Sequence, residues 1–344
     1  MKRFSFAILV SLLCLGVAFG VGYARSGFTF GLQTLLIAAV LGVMELSLSF
    51  DNAVINASIL ERMAPVWRRR FLTWGILIAV MGMRLVLPIA IVALVARLDL
   101  FSVVALALNQ PELYARELTH AHVPISAFGG CFLLLAALEF LCDPDKEVHW
   151  LAFTERPLAQ VGAFDRAALL VTLGVLLAAV YLLVPGSERL VALSAGLVGI
   201  LLQSSLSGLS SLFDAEDALR GRAQGGALAF IYLELLDASF SLDGVIGAFA
   251  ITRDVIVIAA GLAIGAVFVR SLTLLMVDAG SLSRFVFLEH GAHYAIAALA
   301  CIMLISMSPA VEIPEVMTGL IGVAFISLAI GSSVRRNQAL SQQV

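Results

Sequence analysis

Two short stretches place carboxylates and hydroxyls at one spacing inside an otherwise apolar chain. In the first, Glu45, Ser47, Ser49 and Asp51 alternate with Leu46, Leu48 and Phe50, and Asn52 follows. In the second, Asp237, Ser239, Ser241 and Asp243 alternate with Ala238, Phe240 and Leu242, and Gly244 follows. Glu234 adds an acid one turn before the second stretch. An acid at the centre of a bilayer costs roughly 2.5 to 3.5 kcal/mol, so these five would cost on the order of 10 kcal/mol against lipid. They must face one another, a cavity or a cation. Every group they offer is an oxygen donor, which suits a hard divalent ion such as Mn²⁺, Mg²⁺ or Ca²⁺. Zn²⁺ and Cu⁺ suit the set less well, because no intramembrane His or Cys accompanies the acids.

Helical geometry refines the pattern. Acids six positions apart lie about 120° from one another around a regular helix, so Glu45 and Asp51 do not share a face, nor do Asp237 and Asp243. Each does share a face with a serine four positions away: Glu45 with Ser49, Ser47 with Asp51, Asp237 with Ser241 and Ser239 with Asp243. Local unwinding at Asp51 and Asn52, and at Asp243 and Gly244, would swing the second acid inward, and Gly244 is suited to such a break. The spans that follow carry Arg84 and Arg270. Two arginines cannot balance five acids, and a cation repels a cation, so they are expected to tether helices or to lower the pKa of a neighbouring acid rather than to bind a metal.

The elements that must position these residues are membrane helices. Of 344 residues 61% are hydrophobic and 13% charged, far from a soluble domain. Apolar windows long enough to span a bilayer recur near 4–24, 31–60, 71–96, 123–142, 166–185, 190–212, 226–250, 255–278, 291–310 and 315–333. The expected fold is therefore all-α, a polytopic bundle of about ten spans. The first is taken as an uncleaved helix, although Lys2, Arg3 and the apolar run to Ala24 also fit a signal peptide. The basic loops containing Arg62, Arg68, Arg69, Arg70, Lys146, Arg156, Arg335 and Arg336 fall on one side, which puts both termini in the cytoplasm of an inner-membrane protein. The polar stretches 97–122 and 143–165 fit short interfacial helices.

The two acidic stretches head matching halves. Gly75 precedes Arg84 by nine positions and Gly261 precedes Arg270 by nine, and Ile78 matches Ile264. Residues 1–186, with the acidic helix 31–60, and residues 187–344, with the acidic helix 226–250, read as two repeats of one integrated membrane domain. Five spans separate the copies, so they cross in opposite directions, an inverted 5+5 arrangement of the kind that places a transport site at the midplane.

The residues from Glu45 to Asn52, the Gly75 to Arg84 spacing, and Leu288, Glu289, His290, Gly291, Ala292, His293 and Tyr294 resemble the TerC family of integral membrane proteins, in its domain-of-unknown-function 475 branch. The resemblance implies Mn²⁺ efflux from the cytoplasm, with Glu45, Asp51 and Asn52 as the acidic motif and Asp237 and Asp243 as its second copy. The second copy departs from the pattern, with Gly244 in place of Asn and Glu234 as an extra acid. The expected mechanism is alternating access, with protons as counter-ion and no prosthetic group. An alternative is a membrane scaffold or metal-delivery subunit of a metal or tellurite stress response. Two intramembrane aspartates also evoke a protease dyad, but the Gly-x-Gly-Asp signature of such proteases is absent and no enzyme is expected. His290, His293, His120 and His122 border spans and are read as solvated. The small mixed net charge of −3 points to no nucleic-acid partner, and four scattered cysteines, Cys14, Cys131, Cys142 and Cys301, point to no disulfide framework.

Overall fold

The structure is a computed structural model that describes residues 4–164, 166–220, 226–280 and 284–341. Among these residues the regular structure is all helical, with no strand. Seven helices are long and apolar enough to cross a membrane, and nine do so if each of two bent pairs counts as one span. The acidic helix Ala227–Ile251 is not among them, because its 25 residues carry Glu234, Asp237 and Asp243. At 1.5 Å per residue it is about 37 Å long, enough to cross hydrocarbon if those acids are satisfied inside the protein. Large side chains such as Leu94, Phe101 and Leu182 are at least 75% exposed, as expected where the outer surface meets lipid. The protein is a multi-pass membrane protein.

The chain divides into two compact units, and each draws on both sequence halves. The first comprises Met1–Ala53, Pro65–His122 and Leu233–Leu275. It opens with a hairpin of Ser5–Ser26 and Phe28–Leu48 that turns on Gly27, whose φ of 81° suits glycine. Thr34 donates its hydroxyl to the Ala18 carbonyl at 2.8 Å. Ala18 and Ala38 pack with Val257 and Ala260 in a small-residue core. A Cβ on Gly42 would lie 2.8 Å from the Ile264 side chain, so the Phe28–Leu48 helix runs close against Val255–Asp278, as small residues permit between membrane helices.

The helix of the first acidic stretch ends at Leu48 and restarts at Phe50, with Ser49 out of helical geometry at φ −100°, ψ 17°. The break therefore falls two residues before the expected position. The expected break at Asp243 and Gly244 is absent: Ala227–Ile251 is one continuous helix. A serine hydroxyl can satisfy local backbone and side-chain groups when the ladder is interrupted, whereas Gly244 lies in a ladder that stays complete. Beyond Pro65–Arg70 the chain adopts wider π-helical turns over Phe71–Gly75 and Ile78–Val86 before Leu87–Ala96 closes on left-handed Arg97. Pro65–Gly75 and Ile78–Leu94 meet at 44°. Short helices Leu100–Asn109 and Pro111–His120 fill the expected interfacial stretch.

The second unit comprises Val54–Ala64, Val123–Tyr232 and Met276–Val344. Its described helices include His122–Leu141, Ala152–Gly162, Ala167–Leu183, Arg189–Arg220, Leu288–Ser306 and Glu315–Ser341. Ala152–Gly162 turns into Ala167–Leu183 at 103°, and it matches the second interfacial stretch. Gly130 meets Leu304 and Gly291 meets the Phe325 carbonyl where helices approach closely.

Candidate functional site

The first unit gathers most of the predicted acids, with both arginines between them. Arg84 donates through Nη2 to Glu45 Oε1 and lies 3.8 Å through Nη1 from Asp237 Oδ2. Arg270 donates through Nη2 to Glu234 Oε1 at 3.1 Å and lies 3.7 Å from the same Asp237 Oδ2. The result is a chain of alternating charge, Glu45, Arg84, Asp237, Arg270, Glu234, with every member under 10% exposed. Asp237 is its hub. Asn52 donates its side-chain amide to Asp237 Oδ1 at 2.7 Å and so joins the two acidic stretches directly.

Each member is aimed by its own element. Glu45 is steadied by the Ser49 hydroxyl, which donates to Oε1 at 3.1 Å across the helix break. Arg84 projects from the π-helical turn, and its Nη1 donates to the Ala79 carbonyl five residues back at 2.6 Å. Such turns are rare and recur at functional sites. Arg270 lies 3.7 Å over the Phe71 ring and donates to the Gly75 carbonyl at 3.3 Å. A methyl on Gly75 would stand 2.7 Å from Glu234 Oε1 and 3.1 Å from Arg270 Nη1. Gly75→Ala is therefore expected to cost about 1 to 3 kcal/mol by overpacking, read as a lowered unfolding temperature in detergent. Gly265 is likewise pressed against the Glu45 side chain.

Asp51 differs from the other acids. It is 4% exposed, its Oδ1 accepts the backbone N–H of Asn52 at 2.9 Å, and no guanidinium or ammonium pairs with it among the described residues. Buried acceptors without a hydrogen-bond partner adjoin the network as well, Glu234 Oε2 and Asn52 Oδ1. The serines divide. Ser49 serves Glu45, while Ser239 is buried and donates to the Leu235 carbonyl at 3.0 Å. Ser47 is exposed and donates to the Val43 carbonyl, so it does not share a face with buried Asp51: the break at Ser49 changes the phase between them. The side chains of Ser241 and Asp243 lie outside the described residues. A Cβ on Gly244 would stand 2.6 Å from Glu45 Oε2, so this glycine makes room for the acid rather than breaking its helix. Among the described residues no three His, Cys, Asp or Glu side chains are arranged to hold a metal ion. The arginines hold the acids apart.

A second buried charge cluster, in the second unit, escaped the sequence reading. Glu155 is fully buried, and its Oε1 accepts the N–H groups of Trp150 and Leu151 at 3.2 Å each. Its Oε2 has Lys146 Nζ at 3.2 Å, His149 Nδ1 at 3.4 Å and His290 Nε2 at 3.5 Å. His290 is buried rather than solvated, with Nε2 2.8 Å from the Val148 carbonyl, and the Thr154 hydroxyl meets the Tyr294 hydroxyl at 2.7 Å. The stretch from Leu288 to Tyr294 thus seats the interfacial helix Ala152–Gly162. The one available signal is Glu155 in the first turn of that helix, where an acid can reach back to the N-terminal backbone N–H groups. Glu155→Ala leaves Lys146 without its carboxylate. It is expected to cost about 3 kcal/mol and to expose residues 143–162 to limited proteolysis.

No curated protein and no solved structure matches the chain. Residues 50–340 match the family described as Protein of unknown function (DUF475), a span that takes in the arginines, the second acidic stretch and the histidine motif. The chain belongs to the DUF475 family.

Proposed function

We propose that the protein is a membrane transporter for a divalent cation, with Asp51 and the network acids as the groups that receive it. One observation carries this reading. Among the described side chains, four buried carboxylates, Glu45, Asp51, Glu234 and Asp237, stand in one unit with two buried guanidiniums, and this described set carries a formal charge of −2, that of one divalent ion's counter-charge. A buried carboxylate without a basic partner is neutralised by taking up a proton or a cation. Asp51 is that carboxylate.

In this reading the arginines are place-holders. Their contacts to Asp237, at 3.7 and 3.8 Å, exceed hydrogen-bond length. A cation drawn to the uncompensated charge displaces them from Asp237, and they return when it leaves. Glu234 Oε2 and Asn52 Oδ1 are oxygen acceptors with no other partner to give up. An all-oxygen set favours Mn²⁺, Mg²⁺ or Ca²⁺, and the resemblance to TerC proteins favours Mn²⁺ and efflux across the inner membrane. Opposed repeats with both termini inside would alternate access, and protons would return in exchange.

A second reading has its own observation in its favour. The arginines already pair three of the four acids, as a purely structural tether within a scaffold or metal-delivery subunit would require. Proteoliposome flux with Mn²⁺, Mg²⁺, Ca²⁺ and Zn²⁺ offered separately distinguishes the two. The transport reading expects saturable flux of at least one oxygen-preferring ion, with Mn²⁺ foremost; no flux of any of the four would sink it.

A further inference from the structure

We infer that Arg69 and Arg70, in the run Arg68 to Arg70, hold the headgroup of an anionic phospholipid at the start of the span that carries Arg84. The three arginines are consecutive, and Arg69 and Arg70 are exposed. Neither has a carboxylate partner among the described residues, and Arg70 instead stacks at 4.3 Å on the Trp67 ring. Apolar side chains flank them: Val66 is 62% exposed and Trp74 63%. Exposed arginines flanked by tryptophan and valine at the end of a membrane helix fit the boundary between headgroups and acyl chains. The same juxtaposition argues against a soluble acidic partner, which would leave Val66 and Trp74 in water.

The position links lipid to the network. The Thr73 hydroxyl donates to the Arg69 carbonyl at 3.1 Å, and the π-helical turn that begins at Phe71 ends at Gly75. Phe71 and Gly75 are the residues that seat Arg270. A headgroup on Arg69 and Arg70 is therefore bound within one turn of the support of a network arginine. The inference stands on lipid contact alone and does not require that the protein transport anything.

Each basic residue near a bilayer surface favours anionic over neutral lipid roughly fivefold. The test uses full-length protein with Trp67 as its only tryptophan, made by Trp74→Phe and Trp150→Phe, in mixed phosphatidylglycerol and phosphatidylcholine vesicles. Bromine is placed on the chains of one lipid or the other. Trp67 should be quenched by brominated phosphatidylglycerol well beyond its mole fraction. The preference should vanish in Arg68→Gln/Arg69→Gln/Arg70→Gln and persist in the corresponding triple Lys variant, which keeps the charge. Quenching that follows bulk composition in the parent protein, or a preference that survives in the triple Gln variant, would overturn the inference.

Discussion

Arg84→Met should destabilise the protein by about 3 to 5 kcal/mol, the cost of leaving a buried ion without its partner. Arg84 and Glu45 are each 2% exposed at the side chain, so solvent does little to screen the loss. Among the described residues Glu45 would keep the Ser49 hydroxyl alone, and Asp237 would lose one of its two guanidinium neighbours. The double variant Glu45→Gln/Arg84→Met removes the charge from both sides. Replacing a whole buried pair is far cheaper than breaking it, so most of the loss should be recovered. Unfolding temperatures in detergent would read both, with the single variant lowered by on the order of 10 °C. If the double variant is no more stable than the single one, Arg84 is not held by its charge partner and the network has been misread.

The acids and arginines were legible in the sequence because an ionised group inside an apolar run has few structural uses. Their pairing was legible only in outline. That Arg84 and Arg270 act as tethers follows from charge, but both converge on one oxygen of Asp237, and that convergence depends on helices far apart in the chain. The bond from Asn52 to Asp237 joins residues 185 positions apart, beyond the reach of any local pattern. The helix break was expected near Asp51 on the strength of residue chemistry. It occurs at Ser49, where the hydroxyl bonds Glu45, and that small displacement turns Ser47 outward. Gly244 shows the opposite case, since its conformational freedom goes unused and its missing side chain is what matters. Glu155 was invisible for a different reason. In the polar stretch 143–165 an acid is ordinary, and only the folded chain reveals that it is buried under Lys146, His149 and His290.

Asp51 separates transport from architecture. Because no basic group pairs with it among the described residues, Asp51→Asn breaks no ion pair and keeps the side chain's size. The carboxamide oxygen can still accept the Asn52 N–H, so stability should change by less than about 1 kcal/mol. What it loses is one of the charges left over for a cation. In the place-holder account the surplus on the described acids then falls below what a divalent ion needs, and transport should drop at least tenfold. In the tether account Asp51 carries no duty and its loss changes nothing. The most direct measurement is Mn²⁺ flux into proteoliposomes, with the parent protein and Asp51→Asn reconstituted to equal density and equal unfolding temperature. Flux in the parent and its near-abolition in the variant are the predicted result; equal flux in the two would contradict it.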